Sequence, residues 1–266
     1  MRLRLISGLL GLCLGATAAP IVNTRAAAHR GDSKAAPENT LPAIVSAVKK
    51  GAHQIEFDVK LSKDGELVIM HDATVNRTTN GKGKVSELAF AELRALDAGS
   101  WFSPKFAGAR IPTLREVLEA IPPTIMCNVH LNDEPELAAK VMRLIIELGR
   151  VKQCVLACTG EQAAEAKAIE PSIRICNMSG QRTVLDAYVD DTLARRSEFL
   201  QLRSGPEGVA AAVKRLHEHG VTVNYYSAQE ESLIRALIEA QVDYILTDDL
   251  DLTLSVLKQY GVKPVR

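Results

Sequence analysis

Two histidines, an arginine and two carboxylates lie within the first third of the chain, each beside an apolar run typical of a β-strand. They are His29, Arg30, Glu56, Asp58 and His71. Histidine exchanges protons near neutral pH, and arginine offers phosphate a fork of N–H donors. Carboxylates are hard oxygen ligands for a divalent cation. Together these residue types predict metal-assisted chemistry on a phosphate ester.

The spacing of the second group predicts how its members meet. Asp64-Gly65 lies between two strand patterns, which favours a hairpin with a two-residue turn. With that turn, Asp58 faces His71 across the hairpin, and directly opposed side chains lie about 5 Å apart. Glu56 shares the face of Asp58 because strand side chains alternate. The alternative is a surface hairpin with solvated charges, which the histidine and arginine upstream disfavour.

These residues belong to a longer set of motifs. The motifs are His29-Arg30-Gly31, Pro37-Glu38-Asn39-Thr40, Glu56-x-Asp58-Val59, Lys63-Asp64-Gly65 and His71-Asp72. They resemble the N-terminal half of the glycerophosphodiester phosphodiesterase family, and residues 242–248 resemble its closing strand. The resemblance covers nearly all of the chain after residue 25 and is thin between 154 and 220. It implies His29, His71 and Arg30 as catalytic residues, and a glycerophosphodiester as the small-molecule substrate.

A strand pattern further along places Asn128, His130 and Asn132 on one face, since alternate residues share a face. In the family this strand usually has Asn-x-Glu-x-Lys, whose glutamate is the third metal ligand and whose lysine contacts phosphate. Here His130 stands in place of the glutamate and Asn132 in place of the lysine. The resemblance therefore implies Glu56, Asp58 and His130 as metal ligands.

The predicted cofactor is one divalent metal ion, namely magnesium, calcium, manganese, cobalt or zinc. An imidazole among two carboxylates favours the transition metals in that set. A hydrogen-bonded core histidine is the alternative for His130. The predicted substrate contacts are Arg30, Asn132 and the aromatic ring of Tyr226, for which simple packing is the alternative.

Strand and helix patterns alternate along the chain, which indicates βα repeats and a parallel sheet. The strand candidates are 25–29, 53–59, 67–71, 125–131, 153–158, 173–178, 199–202, 221–226 and 244–247. If 67–71 is the returning arm of the hairpin, eight strands remain. The predicted fold is thus a (β/α)8 TIM barrel of the phosphodiesterase type. Residues 73–111 do not follow this rhythm and are predicted to form a small inserted cap between the second and third barrel strands.

Composition and the N-terminus limit the partners. Lysine plus arginine and aspartate plus glutamate number 32 each, so no basic field indicates nucleic acid or a membrane surface.

Residues 1–19 combine early arginines, a short apolar run and small residues, which is typical of a secretory signal peptide. We expect export to a periplasm or the medium, no stable membrane insertion after cleavage, and one barrel domain over 20–266. Four cysteines remain, predicted to be buried free thiols. The sequence leaves the oligomeric state open.

The predicted reaction is metal-dependent hydrolysis of glycerophosphodiesters to sn-glycerol 3-phosphate and an alcohol by His/His acid–base catalysis. Which histidine is the acid stays open, as does direct attack by water against a cyclic phosphate intermediate. We expect broad tolerance of the alcohol. Two alternatives are a lysophospholipid or sphingolipid phosphodiesterase that releases a cyclic phosphate, and a non-catalytic barrel that binds phosphodiesters. The two intact histidines argue against the second.

Overall fold

The computed structural model describes residues 22–203, 205 and 207–266. The predicted signal peptide at 1–19 lies outside these residues. The described strands are β1 (Arg25–Ala28), β2 (Gln54–Leu61), β3 (Leu67–Ile69), β4 (Met126–Leu131), β5 (Cys154–Cys158), β6 (Arg174–Asn177), β7 (Phe199–Leu202), β8 (Thr222–Tyr226) and β9 (Tyr244–Thr247).

Eight of these strands form a closed parallel barrel. Each pairs with the next around the ring, and β1 closes it by pairing with β2 on one side and β9 on the other. The strand β3 lies outside the ring, antiparallel to β2. The predicted (β/α)8 barrel is therefore confirmed, including the assignment of β3 as a returning arm.

Helices cover the outside of the barrel, except for the helix Phe90–Ala95, which lies in the 73–111 segment. They are α1 (Leu41–Lys50), α2 (Phe90–Ala95), α3 (Leu114–Ala120), α4 (Leu137–Glu147), α5 (Gly160–Ile169), α6 (Leu185–Arg195), α7 (Val209–His217), α8 (Glu231–Glu239) and α9 (Leu250–Gln259). Local chemistry sets several boundaries: Gly51 ends α1 in the left-handed region at φ 78°, where glycine has no steric penalty. Asp249 begins α9 by accepting the backbone N–H of Leu252.

Two apolar layers hold the barrel together. One lies between the strands and the helices, and the other fills the barrel interior with residues such as Val155, Phe199 and Leu246. The four cysteines of the described chain are buried and free, as predicted, so they act as small apolar side chains.

The hairpin of β2 and β3 differs from its prediction by one residue. Its loop has three residues, because Ser62 N–H bonds to Glu66 O at 3.0 Å and Gly65 takes a left-handed φ of 83°. The Ser62 hydroxyl also accepts the Glu66 N–H and favours this longer loop. Asp58 therefore pairs with Met70 (Met70 N–H to Asp58 O, 3.0 Å) and not with His71.

Residues 73–111 form an excursion between β3 and α3, with α2 and two short 3₁₀ helices at Val85–Glu87 and Pro104–Phe106. The 3₁₀ helix Val85–Glu87 and α2 are separate elements, because the Glu92 carboxylate accepts the Ala89 N–H and starts a new helix there. A small apolar core lies between the excursion and the segment that contains β3. Its members are Val68, Met70, Val75, Val85, Leu93, Ala98 and Ile111.

Candidate active site

An open cavity of about 650 Å³ lies at the carboxyl ends of the barrel strands. This is the end at which barrel enzymes place their active sites. Its lining includes the predicted residues His29, Arg30, Glu56, Asp58, His71, His130 and Tyr226. No residue of the 73–111 excursion is among those that line it, so this segment flanks the cavity without forming its wall.

Two carboxylates and one imidazole, those of Glu56, Asp58 and His130, form a cluster on one wall of the cavity. The parallel register of β2 and β4 puts Asp58 beside His130, with Nδ1 of His130 2.9 Å from Asp58 Oδ1 and 3.8 Å from Glu56 Oε1. Burial, together with the nearby charge of Asp58, raises the pKa of Glu56. Burial alone would raise the pKa of Asp58 too, but its hydrogen bond to His130 and the nearby charges of His130 and Arg30 together hold that pKa well below its ordinary range.

This cluster fits a divalent cation. One donor atom from each of Glu56, Asp58 and His130 lies within 4.8 Å of the others. Two buried carboxylates side by side repel one another without a positive charge between them, and carboxylate oxygen with imidazole nitrogen suits several divalent metals. Burial lowers the pKa of His130, but the Asp58 hydrogen bond and the charges of Asp58 and Glu56 together raise it overall. A metal-bound imidazole is neutral, so metal binding and protonation of His130 oppose one another.

Arg30 connects the cluster to the cavity. Its backbone N–H donates to Glu56 Oε2 (2.9 Å), and its guanidinium bonds to Glu38 (2.7 Å) and lies 3.5 Å from Asp58. Its Nε is buried and has no hydrogen-bond partner within the described chain. This buried nitrogen is the guanidinium atom that faces Asp58, while the Arg30 side chain lines the cavity, where a guanidinium can bind an anion. The next residue is Gly31, where an added Cβ would lie 2.7 Å from the Ala43 backbone.

The Pro37-Glu38-Asn39-Thr40 motif positions these groups. Asn39 adopts a left-handed φ of 57°, which asparagine tolerates, and its amide donates to Asp58 Oδ2 at 2.8 Å. Glu38 accepts hydrogen bonds from both Arg30 and Arg77. The motif therefore fixes one metal-site carboxylate and the cavity arginine.

His29 forms a pair with a carboxylate from the far end of the chain. Its Nδ1 lies 2.6 Å from Asp248 Oδ1, and Asp248 also accepts hydrogen bonds from Ser33 and Gln229. Burial lowers the pKa of His29, but the Asp248 hydrogen bond and the charge of Glu56 raise it overall. The Tyr226 ring packs against His29 at 4.6 Å between centroids.

His71 forms a second pair of the same kind. Its Nδ1 lies 2.7 Å from Oδ1 of the neighbouring Asp72, which Arg77 holds with two further hydrogen bonds. The His71 side chain is 42 % exposed, whereas that of His29 is 11 % exposed. His71 lines the cavity despite the different hairpin register, since it lies beyond the end of β3 at Ile69 and is not bound to the strand's alternation.

The order of motifs along the chain, the closed barrel and this cluster agree with comparisons to known proteins. Residues 29–252 match the model of the glycerophosphoryl diester phosphodiesterase family. The chain belongs to this family. It is 33 % identical over 247 residues to a glycerophosphodiester phosphodiesterase of Caldanaerobacter subterraneus subsp. tengcongensis, covering 90 % of this chain and all of that protein. The chain is thus an enzyme of the phosphodiesterase class.

Solved structures give the same result. A glycerophosphodiester phosphodiesterase from Agrobacterium tumefaciens is similar with a TM-score of 0.76 and 30 % identity, covering 86 % of this chain and 98 % of that one. An Oleispira antarctica phosphodiesterase, in complex with the product sn-glycerol-3-phosphate, is similar with a TM-score of 0.75 and 28 % identity, covering 88 % and 96 %. Within the described part of this phosphodiesterase, no helix has the length and apolar character needed to cross a membrane.

One predicted site residue of this enzyme does not reach the cavity. The side-chain amide of Asn132 donates to Val59 O at 3.1 Å, and Asn132 is not among the lining residues. The physical reason is that β4 ends at Leu131 while β2 continues to Leu61, so a backbone carbonyl of β2 lies within reach of the Asn132 amide.

Sequence reasoning also missed parts of the site. Asp248, which binds His29, was not among the predicted site residues; its position just after the final barrel strand was the available signal. Arg77 and the two arginines of the opposite wall, Arg182 and Arg203, had no motif to mark them.

Proposed function

We propose that this enzyme hydrolyses glycerophosphodiesters to sn-glycerol 3-phosphate and an alcohol, using one divalent metal ion and two histidines. The observation that supports this most is the meeting of two His–Asp pairs with the Glu56, Asp58 and His130 cluster at one cavity. Hydrolysis of a phosphodiester requires one proton to leave the nucleophile and one to reach the leaving oxygen.

The two pairs suit these transfers. In each, the carboxylate engages Nδ1 of the imidazole, so Nε2 is left to exchange a proton with the reactants. His29 and His71 thus divide the two proton transfers between them. One pair follows the barrel strand β1 and the other follows the hairpin strand β3, so the two can address different oxygens of one bound phosphate.

Arg30 binds the phosphate group at the wall of the acidic cluster. Its guanidinium, which lines the cavity, donates to a phosphate oxygen, while Glu38 and Asp58 keep it in place. A divalent ion held by Glu56, Asp58 and His130 would supply positive charge for the phosphate as negative charge shifts in the transition state. The imidazole among the ligands favours manganese, cobalt or zinc.

The glycerol half of the substrate is supported by the relative from Oleispira antarctica, which binds sn-glycerol-3-phosphate as its product. In this chain Tyr226, packed on His29, offers an apolar face beside the proton-exchanging imidazole. Export to a periplasm or the medium is part of the same proposal. It rests on the signal-like sequence of residues 1–19 and is tested by fractionation and N-terminal sequencing of the mature protein.

The test is turnover of glycerophosphocholine by chelated enzyme supplied with manganese, cobalt, zinc, magnesium or calcium in turn. We expect release of sn-glycerol 3-phosphate and choline in equal amounts, greatest with a transition metal. His71→Ala is the matched control for contaminating activity. Absence of product with every metal, or equal rates for wild type and control, would contradict the proposal.

A further inference from the structure

Two arginines line the cavity on the side away from the acidic cluster. Arg203 follows the end of β7, and Arg182 lies in the loop between β6 and α6. For neither does the described chain contain an ion pair or a hydrogen bond to a carboxylate. Arg30, by contrast, is held by Glu38 and Asp58.

The neighbours of these arginines leave their charge uncompensated. The lining residues beside them, Gln181, Thr183 and Gln201, are neutral, and the lining carboxylates Glu56 and Asp58 are on β2. The described part of the cavity therefore has one wall where charges are paired and one wall with net positive charge. Positive charge in a cleft attracts and orients anions.

Tyr226 connects the positive wall to the reaction centre. Its ring lies 4.6 Å from the His29 ring and 6.0 Å from the guanidinium carbon of Arg203. A group bound by Arg203 is therefore close enough to His29 to belong to the same small substrate molecule as the phosphate on which His29 acts. Because the Arg203 guanidinium lies over the Tyr226 ring, a quaternary ammonium group that approached this face of the ring would meet a positive charge.

We propose that Arg182 and Arg203 bind an anionic group on the leaving alcohol, so that the enzyme prefers glycerophosphodiesters whose alcohol bears a second phosphate. This rests on the proposed function and narrows its substrate class. It also replaces the broad headgroup tolerance expected from sequence. The first phosphate lies beside Arg30 on the wall of the acidic cluster, and the second lies against the positive wall, where the guanidinium groups donate to its oxygens.

The experiment compares two substrates that differ by one phosphate: glycerophosphoglycerol, and the same molecule phosphorylated on its terminal hydroxyl. We expect kcat/KM to be about tenfold higher for the phosphorylated substrate, as for a charge-assisted contact in a partly solvated site. In the double variant Arg182→Gln/Arg203→Gln this ratio falls close to one. Arg143→Gln, which removes an exposed charge on α4 outside the cavity, keeps the wild-type ratio.

A ratio at or below one in wild type, or a ratio unchanged in the double variant, overturns the inference. Raising the salt concentration should lower the wild-type ratio, because screening weakens exposed charge interactions. Failure of the proposed function looks different: neither substrate then yields sn-glycerol 3-phosphate. The ratio of two substrates does not depend on the fraction of folded enzyme, so a loss of stability in the variant cannot mimic the result.

Discussion

The two walls of the cavity are built in opposite ways. On the wall formed by β1, β2 and β4, each charged side chain is fixed by others, as Arg30 is by Glu38 and Asp58. On the wall formed after β6 and β7, Arg182 and Arg203 project from loops without an ionic partner in the described chain. This difference indicates that the charged groups of the first wall are preorganised for one reaction, whereas the arginines of the second wall are available to contact the variable part of the substrate.

The largest effect is expected at the histidines of the preorganised wall. His29→Ala and His71→Ala should each lower kcat by about a hundredfold to ten-thousandfold, because each removes one proton transfer. Melting temperature checks that the fold is kept. If either variant retained the wild-type kcat, the assignment of acid–base roles to these two residues would be wrong.

Replacing one metal ligand tests whether the preorganised wall determines which metal the enzyme uses. His130→Glu should move the preference from manganese, cobalt or zinc toward magnesium or calcium, since it restores an all-carboxylate ligand set. The measurement is the order of metals that rescue chelated enzyme. An unchanged order would mean that His130 does not determine metal choice.

The His29–Asp248 pair predicts the direction in which the pH profile of the enzyme shifts when Asp248 is replaced. Burial lowers the pKa of His29 and the Asp248 contact raises it above its ordinary value, so Asp248→Asn must lower it. The limb of the kcat/KM profile that His29 controls then moves to lower pH, whether His29 is the acid or the base. Asp249→Asn removes a neighbouring charge that pairs with Lys34 instead, and its profile should match that of wild type. A shift to higher pH in Asp248→Asn would contradict the account.

The smallest effect is expected at Asn132, because its amide bonds to Val59 O and does not line the cavity. Asn132→Ala should lower the free energy of unfolding by about 1 kcal/mol and leave KM near the wild-type value. Tyr226→Ala, at a lining residue, should raise KM. Denaturant unfolding and steady-state kinetics of the two variants, Asn132→Ala and Tyr226→Ala, test this. A raised KM in Asn132→Ala would mean that Asn132 contacts the substrate after all.

Sequence reasoning succeeded where local pattern decides the structure. The strands Phe199–Leu202 and Tyr244–Thr247 were predicted with their observed bounds, since each is a short apolar run between polar residues. The hairpin register failed because it depends on the Ser62 side chain and the left-handed Gly65, which lengthen the loop. The motif residues still met at the cavity, because the barrel and not the hairpin register brings them together.

Other parts of the site depend on closure of the barrel. Asp248 reaches His29 because β9 pairs with β1 across more than two hundred residues of sequence, a contact that periodicity cannot reveal. Arg182 and Arg203 come together only when β6 and β7 are placed side by side. The arginine wall could not be predicted from the sequence for this reason.

The measurement that tests the central claim most directly is metal binding and product release followed in one titration. Chelated wild-type enzyme is titrated with manganese while bound metal and release of sn-glycerol 3-phosphate from a glycerophosphodiester are recorded, in parallel with Glu56→Gln. We predict that activity in wild type rises in proportion to one bound ion per chain, and that Glu56→Gln binds the ion weakly and loses turnover. Full turnover by the chelated enzyme, or wild-type metal binding and turnover in Glu56→Gln, would contradict the account.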